Sequence, residues 1–138
     1  MTALRYLLDT NSLSDLIRNP DGLVTRKLGT VGEDAVCTSI VVACELRFGA
    51  AKRGSPRLSA RVDQLLASLE VLPLEGDADR HYAEIRAHLS RIGQPVGPND
   101  LLIAAHTLAL GLTLVTGNIQ EFSRVPGLSI EDWLVPSS

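Results

Sequence analysis

Cysteine is nearly absent: Cys37 and Cys44 are the only two in 138 residues. Neither lies in a metal-ligand spacing, and both have apolar neighbours. A zinc site or a disulfide framework is not expected, and both are read as buried free thiols. Long apolar runs are lacking too. Those present are broken by Asp, Glu, His or Thr far short of the ~20 residues that cross a bilayer, so no transmembrane helix is expected. Arg5 and the short apolar trio after it are too little for a secretory leader, and a cytoplasmic location is expected. No repeat, low-complexity tract or linker interrupts the chain, so one domain is expected over 1–138. A strong positive charge is also missing. The formal net charge is −3, which argues against binding nucleic acid by bulk charge alone. It leaves room for a nuclease whose bound metal supplies local positive charge.

What is there alternates. Short apolar strands are expected at Arg5–Leu8, Ala35–Thr38, Glu70–Leu74, Leu112–Val115 and Leu128–Ile130. Between them come helical stretches at Thr10–Ile17, Leu23–Leu28 (ended near Gly29), Ser39–Lys52, Arg57–Ser68, Asp77–Ile92 and Asp100–Leu110, the last capped by Asn99. A short helical turn ending at Phe122 follows the fourth strand. This alternation predicts an α/β fold with a parallel sheet covered on both faces.

Several carboxylates sit where stability alone would not place them. Asp9 ends the first buried strand, the place where open α/β sheets gather ligand chemistry, although it would also cap the next helix. Glu45 has Val41, Val42, Phe48 and Gly49 at helical steps from it and so projects from an apolar stripe. A buried unpaired carboxylate is costly, and the structural alternative is pairing with Arg47 or another arginine. Asp100 opens the most apolar helix, where an acid also complements the helix dipole. Thr116-Gly117-Asn118 ends the fourth strand much as Asp9 ends the first, and Glu121 follows one helical turn on. Asn118 offers an amide and a carbonyl oxygen. Its structural alternative is a turn residue, and that of Glu121 is a solvated acid.

In a parallel sheet these strand ends share one edge. Two carboxylates about 4 Å apart repel by roughly 4 kcal/mol at an effective dielectric of 20. A convergent Asp9, Glu45 and Asp100 therefore calls for a hard cation, Mg²⁺ or Mn²⁺. Such an ion polarises a phosphoryl oxygen and activates water. The reaction class expected is metal-assisted hydrolysis of a phosphodiester.

Leu7-Leu8-Asp9-Thr10-Asn11, Cys44-Glu45-Leu46, Gly97-Pro98-Asn99-Asp100 and Val115-Thr116-Gly117-Asn118 with Glu121-Phe122 resemble the signature positions of PIN-domain ribonucleases, and within them the VapC toxins of bacterial toxin–antitoxin modules. The resemblance covers nearly the whole chain. It implies a PIN-like three-layer α/β/α sandwich around a parallel sheet, and Mg²⁺- or Mn²⁺-dependent endoribonuclease activity. It implies inhibition by a small VapB-type antitoxin, whose C-terminal segment often inserts an arginine near the acids. It also implies a homodimer within a toxin–antitoxin hetero-oligomer. Asp9 and Asp100 match the principal metal ligands, and Glu45 matches a second acid that positions metal or water. The Thr116–Asn118 motif departs from the family. Its last position is an acid in many PIN domains, and Gly117 stands where VapC proteins often carry Asn. Glu121 is a candidate for the missing charge.

Two other readings compete. A non-catalytic RNA- or protein-binding module would not need to maintain a destabilising set of acids. A phosphatase-like hydrolase using Asp9 as nucleophile usually wants an acid two residues on, where this chain has Asn11. His81 and His88 lack metal spacing, and His106 is read as a hydrogen-bonded core histidine. Arg47, Lys52, Arg53, Arg57 and Arg61 read as a solvated helix face, though arginine also suits phosphate. Leu13, Leu16, Ile17 and Leu23 are candidates for an apolar antitoxin surface, or for the core.

Overall fold

A computed structural model describes residues 3–136; both ends of the expected 1–138 domain lie outside the described residues. Five strands form one parallel sheet: β1 (Tyr6–Leu8), β2 (Val36–Ser39), β3 (Glu70–Leu72), β4 (Thr113–Val115) and β5 (Ser129–Glu131), in the spatial order β3-β2-β1-β4-β5. β1 is central. Tyr6 and Leu7 lie beside Val36 and Cys37 on one flank, and Tyr6, Leu7 and Leu8 beside Thr113, Leu114 and Val115 on the other. The apolar runs of β1 and β4 are buried because helices lie over both faces. Leu7, Leu8, Leu114 and Val115 have no exposed surface. The two edge strands are only half-buried.

The chain leaves β1 through α1 (Thr10–Arg18) and α2 (Leu23–Val31), reaches β2, and continues through α3 (Ile40–Arg53) and α4 (Pro56–Ser68) to β3. It then returns through α5 (Ala78–Arg91) and α6 (Pro98–Leu110) to β4 on the other side of β1, and α7 (Ile119–Phe122) leads to β5. The strand order thus reverses between β1 and β4. Crevices outside the carboxyl ends of such strands are where doubly wound sheets bind ligands.

Several expectations need correction. Gly29 does not end α2, which continues to Val31; Gly32, at φ +92°, ends it with a backbone conformation that favours glycine. Asn99 is not the cap of α6. Pro98 opens that helix and Gly97 precedes it, as suits a residue with no N–H to leave unpaired. Cys37 is buried as expected, with its thiol pushed up to about 12 mainly by that burial and then by Glu70. Cys44 is exposed instead. Leu13 is fully buried in the core and Leu16 and Ile17 pack against it, which leaves Leu23, 37% exposed, as the free member of that quartet.

Candidate active site

Asp9 follows β1 and caps α1. Its Oδ1 accepts the Ser12 backbone N–H at 2.9 Å. The capping role expected of Asp9 is therefore present. The side chain is 4% exposed. Burial raises its pKa above the ordinary carboxylate value. Hydrogen bonding from Thr116 and Ser12 opposes that rise, and the charge of Glu45 adds to it. Thr116, at the end of the neighbouring β4, is fully buried. β1 and β4 thus bring Asp9 and Thr116 together, as the shared strand edge predicts.

Asp100 lies in the first turn of α6 and is half-buried. Its pKa is pushed up to about 7. Burial contributes most, followed by the charge of Glu121 and a hydrogen bond between the two carboxyl groups, then by Glu45 and Asp9. The four acids singled out from the sequence therefore share one electrostatic neighbourhood.

Glu45 does not pair with Arg47, which instead forms an ion pair with Asp63 on α4. Nor is it sunk in an apolar stripe. Phe48, one of the neighbours expected to bury it, is 66% exposed, and Glu45 sits half-buried at the margin of the α3 core face. Its Oε1 accepts the Thr10 hydroxyl at 2.5 Å, and its Oε2 accepts the Asn99 amide at 3.4 Å. Glu121 is held in a similar way. Gly97 N–H donates to Oε1 at 2.8 Å and the Asn118 amide to Oε2 at 2.5 Å. The Asn118 N–H in turn donates to the Thr116 hydroxyl at 2.9 Å. Thr10, Asn99 and Gly97 are the residues that sequence reasoning missed as parts of the site. Thr10 and Asn99 stood next to the acids in sequence but read as a helix opening and a cap.

Gly117 has a local reason. A Cβ at that position would meet the Leu134 side chain at 2.5 Å, so a larger residue there requires Leu134 to move. His106 is the expected core histidine, 1% exposed, with Nδ1 2.8 Å from the Ser39 hydroxyl; burial lowers its pKa, opposed by the Pro73 backbone and the charge of Glu75.

The donor set is all oxygen. Among the described residues no Lys or Arg is ion-paired with these acids, the ion pair there being Arg47–Asp63. Oxygen donors with excess negative charge suit a hard divalent ion. Among the described residues no group of three or more acidic, histidine or cysteine side chains is disposed to hold a metal ion, so the expected convergence of Asp9, Glu45 and Asp100 as one ligand set is not seen. Asp9 and Asp100, which lie within electrostatic reach of each other, are the pair that could hold one.

A family model described as the PIN domain matches residues 6–128. The chain belongs to the PIN-domain family. Within it, the chain is 40% identical over 131 residues to the tRNA(fMet)-specific endonuclease VapC of Salmonella typhimurium, covering 94% of this chain and 98% of that protein. It is 35% identical over 130 residues to ribonuclease VapC2 of Rickettsia felis, covering 93% and 97%. Among solved structures, DNA-bound VapBC from Salmonella typhimurium superposes with a TM-score of 0.89 at 40% identity, over 94% of this chain and 98% of that one. VapBC2 from Rickettsia felis, bound to a DNA fragment from their promoter, gives 0.86 at 33%, over 94% and 99%. The three-layer fold expected from the sequence is the fold of these proteins.

Proposed function

We propose that this chain is the toxin of a VapBC-type toxin–antitoxin module, an endoribonuclease that hydrolyses RNA phosphodiester bonds at the carboxyl edge of β1 and β4. The observation that carries the reading is the set of four acids sharing one electrostatic neighbourhood at that edge, none ion-paired to a Lys or Arg among the described residues, in a chain 40% identical to a VapC endonuclease. A binding module has no use for neighbouring acids whose charges raise the pKa of Asp9 and Asp100.

In this reading Asp9 and Asp100 hold a divalent ion, Mg²⁺ or Mn²⁺, with Glu45 alongside. When bound, that ion supplies Lewis-acid polarisation of the phosphoryl group and activation of water. The chain does the rest. The rigid β1 and β4 ends fix Asp9 and Thr116, and α6 fixes Asp100. Glu45 and Glu121 are held by neutral donors, which orient their carboxylates toward the same edge without an ion pair. RNA is the substrate class. A transfer RNA is the first to try, because the Salmonella relative is called tRNA(fMet)-specific. A VapB-type antitoxin is the partner, in keeping with the VapBC structures the chain resembles. A homodimer within the hetero-oligomer is carried by the family resemblance.

The test is cleavage of initiator tRNA and of total RNA by protein freed of its antitoxin, with added Mg²⁺ or Mn²⁺ and with chelator, beside Asp9→Asn. Metal-dependent cutting that the substitution abolishes is expected. Equal cutting by both proteins, or none by either in any metal, overturns the reading.

A further inference from the structure

The fourth acidic position of many PIN domains is Asn118 in this chain, and its surroundings give that asparagine a defined task. We propose that Asn118 is a positioning residue: with the Gly97 backbone N–H it forms a neutral bracket that orients the Glu121 carboxylate toward Asp100, so that Glu121 supplies the charge the motif lacks. The inference deepens the nuclease reading above and rests on it.

The bracket takes both carboxylate oxygens. Gly97 N–H donates to Oε1 at 2.8 Å and the Asn118 amide to Oε2 at 2.5 Å. An ionised carboxylate only accepts, so the nitrogen of the Asn118 side chain is the atom that must face it. Asn118 is itself anchored, its N–H donating to the Thr116 hydroxyl at 2.9 Å. Gly97 lies just before α6, three residues ahead of Asp100. The bracket therefore ties the end of β4 to the start of the helix that carries Asp100. A Cβ on Gly97 would lie 3.6 Å from Glu121 Oε1 and 4.0 Å from Asp100 Oδ2, which places the two acids on the same side of that loop.

The choice of donor matters. A lysine or arginine would orient Glu121 equally well but would cancel its charge. An amide and a peptide N–H orient it and leave the charge in place for a cation. The same device recurs at Glu45, held by the Thr10 hydroxyl at 2.5 Å and the Asn99 amide at 3.4 Å. An aspartate at 118, an acid as in many PIN domains, would set a second carboxylate against Glu121 and push it away.

The two accounts of Asn118 thus predict opposite signs. The experiment measures Mn²⁺ affinity by titration calorimetry, together with kcat and KM for RNA cleavage. The proteins are the wild type, Asn118→Asp, Asn118→Ala, Glu121→Gln and the double variant Asn118→Ala with Glu121→Gln. Metal-free thermal unfolding reports that each is folded, and the isosteric Asn118→Asp serves if Asn118→Ala does not fold. Asn118→Asp and Asn118→Ala are each expected to weaken Mn²⁺ binding and lower kcat by about 10-fold, in the range of changes to groups that orient metal ligands. The double variant is expected to be no worse than Glu121→Gln alone. Tighter Mn²⁺ binding and faster cleavage in Asn118→Asp overturn the bracket, since Asn118 would then be a ligand position that has lost its acid. Additive losses in the double variant overturn it as well. Wild-type Mn²⁺ affinity and cleavage in Glu121→Gln, with Asp9→Asn inactive, overturn the bracket and leave the nuclease reading standing. Full cleavage by Asp9→Asn overturns the nuclease reading itself.

Discussion

The chain handles charge in two different ways. On the α3–α4 face, Arg47 and Asp63 form an ion pair with side chains 56% and 63% exposed. Each charge there is neutralised and hydrated, and such pairs contribute roughly 0–1 kcal/mol. At the β1–β4 edge the opposite holds. Asp9 is 4% exposed, and the charges of Glu121, Glu45 and Asp9 all push Asp100 up, to about 7. Each outer acid is oriented by neutral donors. The first arrangement serves a folded surface. The second works against the fold and makes sense as a place prepared for a cation.

Removing an inner acid breaks this contrast most severely. Asp9→Asn is expected to lower RNA cleavage by at least about 100-fold, some 2.7 kcal/mol of barrier, with an unchanged circular-dichroism spectrum because the amide still caps α1. An unfolded variant would instead assign Asp9 to stability. Loosening an outer acid should do less. Thr10→Val removes the hydroxyl that Glu45 accepts, and a loss of about 10-fold in kcat is expected, read by single-turnover cleavage.

The pH dependence sharpens the contrast from the side of stability. Asp100 is raised from 3.8 to about 7, so the folded protein binds this proton more tightly than the unfolded chain. Its contribution to stability is fully present below about pH 4 and is lost as pH rises through 7. Metal-free protein should therefore lose stability across that window. Asp100→Asn should flatten the loss and stabilise the protein by roughly 1 kcal/mol above it, as read by denaturant unfolding at several pH values. The surface pair should respond least. Arg47→Ala is expected to change stability by under about 0.5 kcal/mol and to leave kcat/KM for cleavage unchanged.

The acids were legible in the sequence because each broke a local rule. Asp9 ended a buried strand and Asp100 opened the most apolar helix; Glu45 was singled out by apolar helical neighbours, of which Phe48 proves exposed. The acids' shared edge followed from the parallel sheet, which the alternation of strands and helices made plain. What failed was finer. Helical steps from Glu45 put Phe48 on the buried side and apolar neighbours did the same for Cys44, whereas the buried residues of α3 are Val41, Val42, Ala43, Leu46 and Ala50. Asn99 was read as a cap, but Pro98 already opens α6. The donors that hold Glu45 come from 35 and 54 residues away. Nothing in a single sequence records such a pairing. The donors that hold Glu121 include a backbone N–H, which leaves no mark in the sequence at all.

The most direct test of the central claim is calorimetric titration of Mn²⁺, near neutral pH, into the antitoxin-free protein and into the double variant Asp9→Asn with Asp100→Asn. The account predicts saturable binding by the wild type, accompanied by a rise in its unfolding temperature, and neither effect in the variant. Undiminished binding by the variant, or no saturable binding by the folded wild type, would contradict it.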